Sequence, residues 1–387
     1  MSSLGDLRIV DFSRVLAGPF ATMLLADLGA TVVKVERPGS GDDTRSWGPP
    51  YDDRGEATYY QSVNRNKDSV TLDLRTEEGI TRARELAAGA DVVVENFRPG
   101  LMSELGLGYD DLRARNPGLI YCSITGFGSG AGAQLPGYDL LIQALGGLMS
   151  VTGQPEGEPQ KVGVALVDVL SGQFATVGVL AALRHRDTTG EGQLVEVNLL
   201  SSLLAALVNQ SSAYTSGGVV PQRMGNAHPS VAPYEVLPCG EGELVLAVGN
   251  DRQFRALCDR LGDPDLGTDM RFATNSARVD HREELREHLV QLLKARDARS
   301  WADLLTEARV PAGVVNDVAG AFRLAAELGL DPVVGIPRGD GTEVRLARNP
   351  IGLSETPPTY RSAPPPLSES LPFSESLPFS EPRLDDD

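Results

Sequence analysis

Cysteine is scarce in this chain of 387 residues, and we expect no segment with the length and apolarity of a membrane span. The three cysteines, Cys122, Cys239 and Cys258, lie far apart and form no C-x-x-C pair. Such a sparse, odd set disfavours a disulfide framework and a zinc–thiolate site, and it favours a reducing compartment. We find no run of about 20 apolar residues and no signal- or transit-peptide pattern. We therefore expect a cytoplasmic protein.

Basic residues are outnumbered, because 35 lysines and arginines face 53 acidic residues and the net charge is −18. Nucleic acids and anionic membranes are bound through basic patches, so we expect neither as a main partner. Part of the negative charge lies in residues 363–387, where proline, serine and acidic residues dominate and the unit SESLPF occurs twice. This composition predicts a disordered tail.

Several motifs of nucleotide and hydrolase chemistry are missing. The chain has no G-x-x-x-x-G-K-[ST] phosphate loop and no G-x-S-x-G nucleophile elbow. The stretch TGFGSGAGAQ (125–134) comes nearest to a dinucleotide fingerprint, but Ala131 stands where the last glycine belongs, so we interpret it as a glycine-rich loop. The four histidines show no metal-ligand spacing, and we expect no metal. Only His228, in a loop before Pro229, is a candidate to line a cleft.

The chain does have a regular alternation of short apolar runs and helical segments. Six strand-like runs occur at 7–12, 31–36, 69–74, 91–97, 119–125 and 193–198. A long helix is predicted from about Asp168 to Arg186, and an apolar helix is predicted after the last run, to about Ala213. Because helical patterns separate most of the strand-like runs, they predict an α/β fold with a parallel, doubly wound sheet. A hairpin signal at 233–249 and three helical segments after it predict a smaller α+β domain.

These patterns give the following predicted organisation. The expected domains are a large Rossmann-like domain over 1–213, a linker over 214–228, a small α+β domain over 229–320, a linker and return to the large domain over 321–362, and the acidic tail over 363–387.

Three arginines follow predicted strand ends. Arg37, Arg75 and Arg98 each come just after an apolar run. Ligands of an open α/β sheet bind outside the carboxyl ends of its strands, so these guanidinium groups would meet at one edge. A polyanionic, phosphate-containing ligand needs such a set of cations. The alternative, arginines scattered over the surface, stays open at this point.

Asp168 lies where an apolar run passes into a long helical pattern. A carboxylate at this junction is most simply an N-cap, which accepts hydrogen bonds from the first helical turn. A functional alternative is a carboxylate that the positive end of the helix dipole keeps ionised and that acts as a covalent nucleophile.

The sequence resembles the class III CoA-transferases, which include formyl-CoA transferases, carnitine CoA-transferases and α-methylacyl-CoA racemases. The segments that carry the resemblance follow the family's order over about residues 1–355. They include DFSRVLAGPFATMLLADLGATVVKVERPGSGDDTR, NRNKDSVTLDL, DVVVENFRPG, NPGLIYCSITGFG, GYDLLIQALGGLMSVTG and VALVDVLSGQ.

The resemblance implies a large Rossmann-like domain, a small domain and a homodimer of interlocked rings. It implies that Asp168 is the nucleophile, which forms an aspartyl mixed anhydride with the donor acyl group and then an aspartyl–CoA thioester. An acceptor carboxylate finally receives CoA. Covalent relay divides one difficult exchange into easier steps, and water must be excluded from the reactive intermediates. Coenzyme A is thereby a substrate, and no tightly bound cofactor is expected.

The resemblance also implies the contacts to CoA and to the acids. The implied CoA-binding residues are Leu16, Ala17, Arg37, Leu72, Asp73, Leu74, Arg75, Asn96, Phe97, Arg98, Gly137, Tyr138 and Asp139. The candidates to line the acid site are Arg14, Arg45, His228, Gly249 and Asn250. Subfamily likeness favours succinyl-CoA as donor and a dicarboxylate such as glutarate as acceptor, whose second carboxylate Arg14 or Arg45 would meet.

Two departures from the family pattern affect the prediction. Racemases carry a histidine in a G-H-D segment, whereas this chain has Gly137-Tyr138-Asp139. Tyrosine, with an ordinary pKa near 10, is a poor proton shuttle at neutral pH, so transferase is favoured over racemase. A CoA-binding protein without activity is a third alternative. The second departure is the C-terminus, where the SESLPF copies replace the family's closing helix.

Overall fold

The computed structural model describes residues 2–368, so the predicted tail lies outside the described residues from Glu369 onward. The strands are β1 (Arg8–Asp11), β2 (Thr31–Glu36), β3 (Lys67–Thr71), β4 (Val92–Glu95), β5 (Ile120–Thr125), β6 (Leu194–Asn198), β7 (Tyr234–Pro238), β8 (Glu243–Ala247), β9 (Ala312–Val314), β10 (Val333–Pro337) and β11 (Glu343–Ala347). The helices are α1 (Ala17–Asp27), α2 (Thr58–Gln61), α3 (Glu77–Ala88), α4 (Leu101–Glu104), α5 (Tyr109–Arg113), α6 (Asp139–Leu145), α7 (Leu148–Val151), α8 (Leu166–Thr189), α9 (Leu199–Ala206), α10 (Asn209–Thr215), α11 (Asp251–Leu261), α12 (Asn275–Asp280), α13 (Arg282–Leu293), α14 (Ala298–Glu307) and α15 (Val318–Glu327).

The described residues form two compact units. The first unit contains the chain up to Leu148, Val162–Gly218 and the chain from Asp331, and the second contains Met149–Lys161 and Val219–Leu330. These limits differ from the predicted domain limits mainly because the segment Met149–Lys161 belongs to the second unit. This segment belongs to the second unit because the Gly225 N–H donates to the Gly153 carbonyl oxygen at 3.0 Å.

A six-stranded parallel sheet organises the first unit, in the order β3-β2-β1-β4-β5-β6. The prediction of a parallel α/β sheet is confirmed. Residue Ile9 of β1 pairs with Val32 on one side and with Val92 on the other. The strand order therefore reverses between β1 and β4, and a crevice for ligands opens at the carboxyl ends of such strands.

Successive strand residues enter two separate cores, because side chains alternate between the faces of a sheet. Val92 and Val94 of β4 pack in one core with Leu25 of α1. Val93 lies on the other face and packs with Leu86 of α3. All of these side chains are buried, which explains why the strands read as nearly continuous apolar runs.

The second unit has its own core and a three-stranded antiparallel sheet in the order β7-β8-β9. The predicted hairpin corresponds to β7 and β8. The buried side chains of the second unit's core include Leu237, Leu246 and Phe254, which pack with Trp301 of α14. The short strand β9 was not predicted, because three residues are too few for a recognisable alternation.

Three segments differ from the sequence-based prediction. The helix expected from Asp168 begins earlier, at Leu166, and extends to Thr189. The apolar helix expected to continue to Ala213 divides into α9 and α10, because Val208 has a φ of 44° and leaves the helical region. In the return segment, β10 and β11 form an antiparallel hairpin that was not predicted.

Helix α8 is long and apolar enough to cross a membrane by length and composition alone. Its most apolar window has a mean hydropathy of 1.7, and 44% of that window is buried. The expectation that no such segment exists is therefore wrong for the described residues. A core helix of a globular protein meets the same criterion, and α8 packs against the central sheet.

Candidate active site

A cleft of about 580 Å³ lies at the carboxyl ends of β1, β2, β3 and β4. We call it the strand-end cleft. Predicted binding residues that line it are Arg14, Arg37, Leu72, Asp73, Leu74, Arg75 and Phe97. The cleft lies where the strand order reverses, as expected for a ligand site of a doubly wound sheet.

The predicted phosphate-binding arginines each have a carboxylate partner at the protein surface. Arg37 pairs with Asp43, Arg75 pairs with Asp73 at 2.9 Å and Arg98 pairs with Glu104 at 2.5 Å. Exposed pairs of this kind contribute little free energy, so an incoming phosphate can replace these carboxylates.

Arg14 has a different environment in the strand-end cleft. Its guanidinium lies over the Phe97 ring, 4.8 Å from the ring centroid. Within residues 2–368 it forms no ion pair. Burial and the nearby positive charge of Arg37 lower the pKa of Arg14. An anion bound in the cleft would therefore relieve the repulsion between these two cations.

A second cavity, of about 340 Å³, contains the side chain of Asp168. We call it the Asp168 cavity. Predicted site residues that line it are Ala17, Asn96, Arg98, Gly137 and Asp168. The segment Asn96–Arg98 thus borders both spaces, because Phe97 lines the strand-end cleft.

Close contacts between backbones bring the walls of the Asp168 cavity together. A Cβ atom on Gly172 of α8 would stand only 2.6 Å from the Ala17 carbonyl oxygen, so glycine allows α8 to approach the start of α1. A Cβ on Gly126 would stand 2.5 Å from the Gly137 Cα. The glycine-rich loop between β5 and α6 therefore closes on itself at the edge of the cavity.

The Asp168 carboxyl lies in the first turn of α8, and Ala165 is the N-cap. Burial, together with the charge of Asp139, raises the pKa of Asp168 to about 7. Two sequence-based expectations are corrected here. Asp168 is not the N-cap, and the helix dipole does not keep it ionised, because burial and a neighbouring carboxylate have the larger effect.

Comparisons with known proteins identify the family of this chain. The model of CoA-transferase family III matches residues 4–370. The chain belongs to this family. It is 44% identical over 377 residues to a succinate–glutarate CoA-transferase of Agrobacterium fabrum, covering 95% of this chain and 93% of the relative. It is 43% identical to a succinyl-CoA:glutarate CoA-transferase of Mus musculus, covering 92% and 84% of the two chains.

A solved structure supports the fold of this family III chain. The crystal structure of a CAIB/BAIF family protein from Brucella suis superposes with a TM-score of 0.83 at 43% identity, covering 95% of this chain and 96% of that one. The resemblance in sequence and the likeness in structure therefore extend over nearly the same residues.

Three predicted site residues of this family III chain, Leu16, Arg45 and Tyr138, line neither the strand-end cleft nor the Asp168 cavity. The Arg45 guanidinium donates to Glu36 Oε2 at 2.8 Å and to the Tyr60 hydroxyl at 2.6 Å. Leu16 is buried against Met23. Tyr138 is 66% exposed and lines neither cavity.

His228, Gly249 and Asn250 lie in the second unit. The His228 ring packs against Tyr234, with centroids 5.3 Å apart. The Gly249 N–H donates to Gln253 Oε1 at 2.9 Å, and Asn250 caps α11 by accepting from the Gln253 N–H at 3.0 Å. Each of these residues thus has a local structural role within that unit.

The prediction missed two titratable residues close to the site. Tyr59 of α2 has a raised pKa because of its burial and the charges of Asp168 and Asp139. Glu95, at the end of β4, is buried and its pKa is raised to about 7. Its Oε2 accepts the Phe97 N–H at 2.8 Å, which fixes the turn into the segment that borders both cavities.

A cluster of buried charges supports the first strand–helix turn, and the prediction missed it as well. It consists of Asp11, Lys34, Asp42 and Lys67, and we call it the buried ion cluster. Lys34 donates to the Ser13 carbonyl oxygen at 2.8 Å and contacts Asp42 at 2.9 Å. Lys67 contacts Asp11 at 3.1 Å. Among the described residues 2–368, no group of acidic, histidine or cysteine side chains could hold a metal ion.

Proposed function

We propose that this protein transfers CoA from succinyl-CoA to a dicarboxylic acid of the glutarate type. One observation carries the proposal: the half-buried Asp168 and an arginine-lined cleft lie at the same sheet edge and share the segment Asn96–Arg98. The names of the relatives from Agrobacterium fabrum and Mus musculus support the choice of donor and acceptor.

CoA would occupy both spaces at once. Its phosphates would bind in the strand-end cleft near Arg14, Arg37 and Arg75, where guanidinium groups suit phosphate oxygens. The pantetheine arm would pass over Asn96–Arg98 and bring the thioester to Asp168. Binding energy from the distant phosphates then helps to position the reacting carbonyl carbon.

The exchange would proceed through four balanced substitutions. An Asp168 carboxylate oxygen attacks the succinyl thioester carbon, the C–S bond breaks, and a mixed anhydride and CoA thiolate form. The thiolate attacks the Asp168 carboxyl carbon and releases succinate, which leaves an aspartyl–CoA thioester. The acceptor carboxylate then attacks this thioester and releases the thiolate. Attack of the thiolate on the acceptor acyl carbon finally regenerates Asp168. No proton is gained or lost overall, and the thioester's free energy is conserved.

Ionisation of Asp168 would control the first step, because only the carboxylate is nucleophilic. A pKa of about 7 gives a more basic carboxylate than an ordinary aspartate while leaving about half of it ionised at neutral pH. The half-buried position also limits access of water to the anhydride.

The second carboxylate of the acceptor needs a cationic partner near Asp168. Arg45 is engaged with Glu36 and Tyr60, and Arg14 lines the strand-end cleft. Arg98 is the arginine that lines the Asp168 cavity itself, and its partner Glu104 is exposed. We therefore assign recognition of the second carboxylate to Arg98, in place of Arg14 and Arg45.

The racemase alternative gains no support from the site. An acid–base pair across an α-carbon would need Tyr138 near the reacting centre, but this side chain is exposed and lines neither cavity.

We also propose that the protein is a cytoplasmic homodimer. Helix α8 exposes an apolar stripe of Phe174, Val177 and Leu180, which are 43%, 64% and 36% exposed. A stripe of this kind on a long helix suits contact with a second copy. The three unpaired cysteines fit a reducing compartment. Light scattering should give twice the chain mass, and Val177→Asp should lower it.

The test of the function is incubation with succinyl-CoA and a panel of acids, with CoA thioesters followed by mass spectrometry. We expect glutaryl-CoA and succinate in equal amounts. Hydroxylamine added during turnover should leave a hydroxamate on the peptide that contains Asp168. Absence of any new thioester would overturn the proposal, as would proton exchange in a 2-methylacyl-CoA without an acceptor acid.

A further inference from the structure

The N-cap residue of α8 makes no side-chain hydrogen bond to the first turn of the helix. This residue is Ala165, whose side chain has no acceptor. The first N–H groups of a helix lack partners within the helix and need an acceptor from elsewhere. Here the Val167 N–H donates to Asp139 Oδ1 at 2.8 Å, and the Asp168 N–H approaches the same oxygen at 3.4 Å. A carboxylate from α6 thus caps the helix that carries the nucleophile.

The capping carboxylate is itself fixed by a buried amide. Gln143, one turn further along α6, donates through Nε2 to Asp139 Oδ2 at 2.6 Å. Its Oε1 accepts the Val162 N–H at 2.9 Å. Gln143 is fully buried. The chain of contacts therefore joins α6, the segment that leads into α8, and the first turn of α8.

We propose that Asp139 is a positioning residue for the nucleophile, rather than a CoA ligand: it takes the N–H groups at the start of α8 and leaves the Asp168 carboxylate with a like charge beside it. This inference rests on the proposed role of Asp168. Acylation converts the Asp168 carboxylate into a neutral anhydride or thioester and removes the repulsion between the two carboxylates. Asp139 would therefore favour the acylated form over the free carboxylate.

Other titratable or charged groups near Asp168 come from different elements. Tyr59 lies on α2, and the charges of Asp168 and Asp139 contribute to the increase in its pKa. Arg98, after β4, lines the same cavity but is paired with Glu104. Burial and Asp139 are the causes of the raised pKa of Asp168. The Asp139 charge is therefore the contribution that a single substitution can remove.

The test is the pH profile of kcat/KM for succinyl-CoA, measured between pH 5 and 9 in Asp139→Asn and the unmodified protein. In the unmodified protein we expect about a tenfold decrease from pH 8 to pH 6, because the inflection lies near pH 7. Asparagine retains an oxygen acceptor for the Val167 N–H but removes the charge. The decrease should then be less than about threefold, and kcat at pH 8 should be lower.

Glu95→Gln is the matched control, because the pKa of Glu95 is also about 7 although its side chain lies outside the Asp168 cavity. Its substitution should leave the inflection in place. An unmoved inflection in Asp139→Asn would overturn the inference, and so would an increase confined to the KM for succinyl-CoA, which marks a CoA ligand. If the unmodified protein transferred no CoA at all, the proposed function would be refuted instead.

A second variant covers the case in which Asp139→Asn does not fold. Gln143→Met removes the donor that fixes Asp139 but keeps the charge. We expect kcat to fall several-fold with the inflection still near pH 7. Unchanged kcat in this folded variant would contradict a positioning role.

Discussion

Asp11 and Asp168 belong to the same unit, yet their surroundings move their ionisation in opposite directions. Burial alone would raise the pKa of Asp11, but the ammonium groups of Lys67 and Lys34 lower it overall. Burial also raises the pKa of Asp168, and its neighbour Asp139 raises it further, to about 7. The buried ion cluster compensates its charges, whereas the Asp168 cavity leaves a carboxylate next to a carboxylate.

This difference separates a structural site from a reactive one. In the buried ion cluster, Asp42 accepts the Thr44 N–H at 2.9 Å and the Val15 N–H at 3.2 Å, while Lys34 binds the Ser13 carbonyl oxygen. These contacts fix the turn that leads into α1 and satisfy every charge. In the Asp168 cavity, the uncompensated charge is retained, and groups with such perturbed pKa values are concentrated at functional sites.

Removal of the nucleophile should reduce the rate of transfer most strongly. Asp168→Asn keeps the size of the side chain but eliminates the attacking oxygen, so CoA transfer should fall by at least about 10³-fold. The measurement is the rate of glutaryl-CoA formation under saturating substrates. Asp111→Asn, on the exposed face of α5, serves as the control and should keep its rate. Transfer that survives in Asp168→Asn would show that Asp168 is not the nucleophile.

In the buried ion cluster, loss of a charged partner should reduce stability instead. Lys67→Met would leave Asp11 buried without one of its cationic partners, and breaking such a pair costs about 3–5 kcal/mol of the free energy of unfolding. Urea denaturation measures the change. Adding Asp11→Asn to Lys67→Met should recover part of it, because the unpaired charge disappears. Lys294→Met, at an exposed position, should have little effect.

For Asp168 the sign of the stability effect is reversed. Its pKa is higher in the folded protein than in the unfolded chain, so the folded state binds the proton more tightly. The stability contribution of this group is greatest in acid and is lost as the pH rises from about 4 to about 7. Asp168→Asn should therefore raise the free energy of unfolding at pH 8, by up to about 4 kcal/mol, and have little effect at pH 4. If Asp168→Asn were less stable than the unmodified protein at pH 8, the Asp168 carboxylate would not be an uncompensated charge.

Much of the fold could be predicted because its signals are local. Apolar runs such as VVV (92–94) and the helical patterns between them predict a parallel sheet, and the arginines that follow the strand ends predict a ligand edge. Arg37 and Arg75 do line the strand-end cleft. This part of the prediction depends only on periodicity and on the general position of binding sites in doubly wound sheets.

The remaining features depend on contacts between distant residues. Asp168 resembles an N-cap in the sequence, yet the cap is supplied by Asp139, which is 29 residues away. Arg45 resembles an available cation, but it binds Glu36 and Tyr60. The segment NRNK resembles a polar loop, although Lys67 within it is fully buried. Composition does not reveal which polar groups will face each other after folding.

Substitution of Arg98 should change activity least, and it tests whether this arginine recognises the acceptor or neutralises Asp168. If it recognises the acceptor, Arg98→Gln should raise the KM for glutarate about tenfold and leave that for valerate, which lacks the second carboxylate, unchanged. If it instead neutralises Asp168, the inflection of the pH profile should move upward for every acceptor. Arg75→Gln should raise the KM for succinyl-CoA with either acid, because Arg75 lines the strand-end cleft. A selective effect on glutarate would leave Asp168 as a carboxylate with no cation of its own, which is the feature that distinguishes it from Asp11.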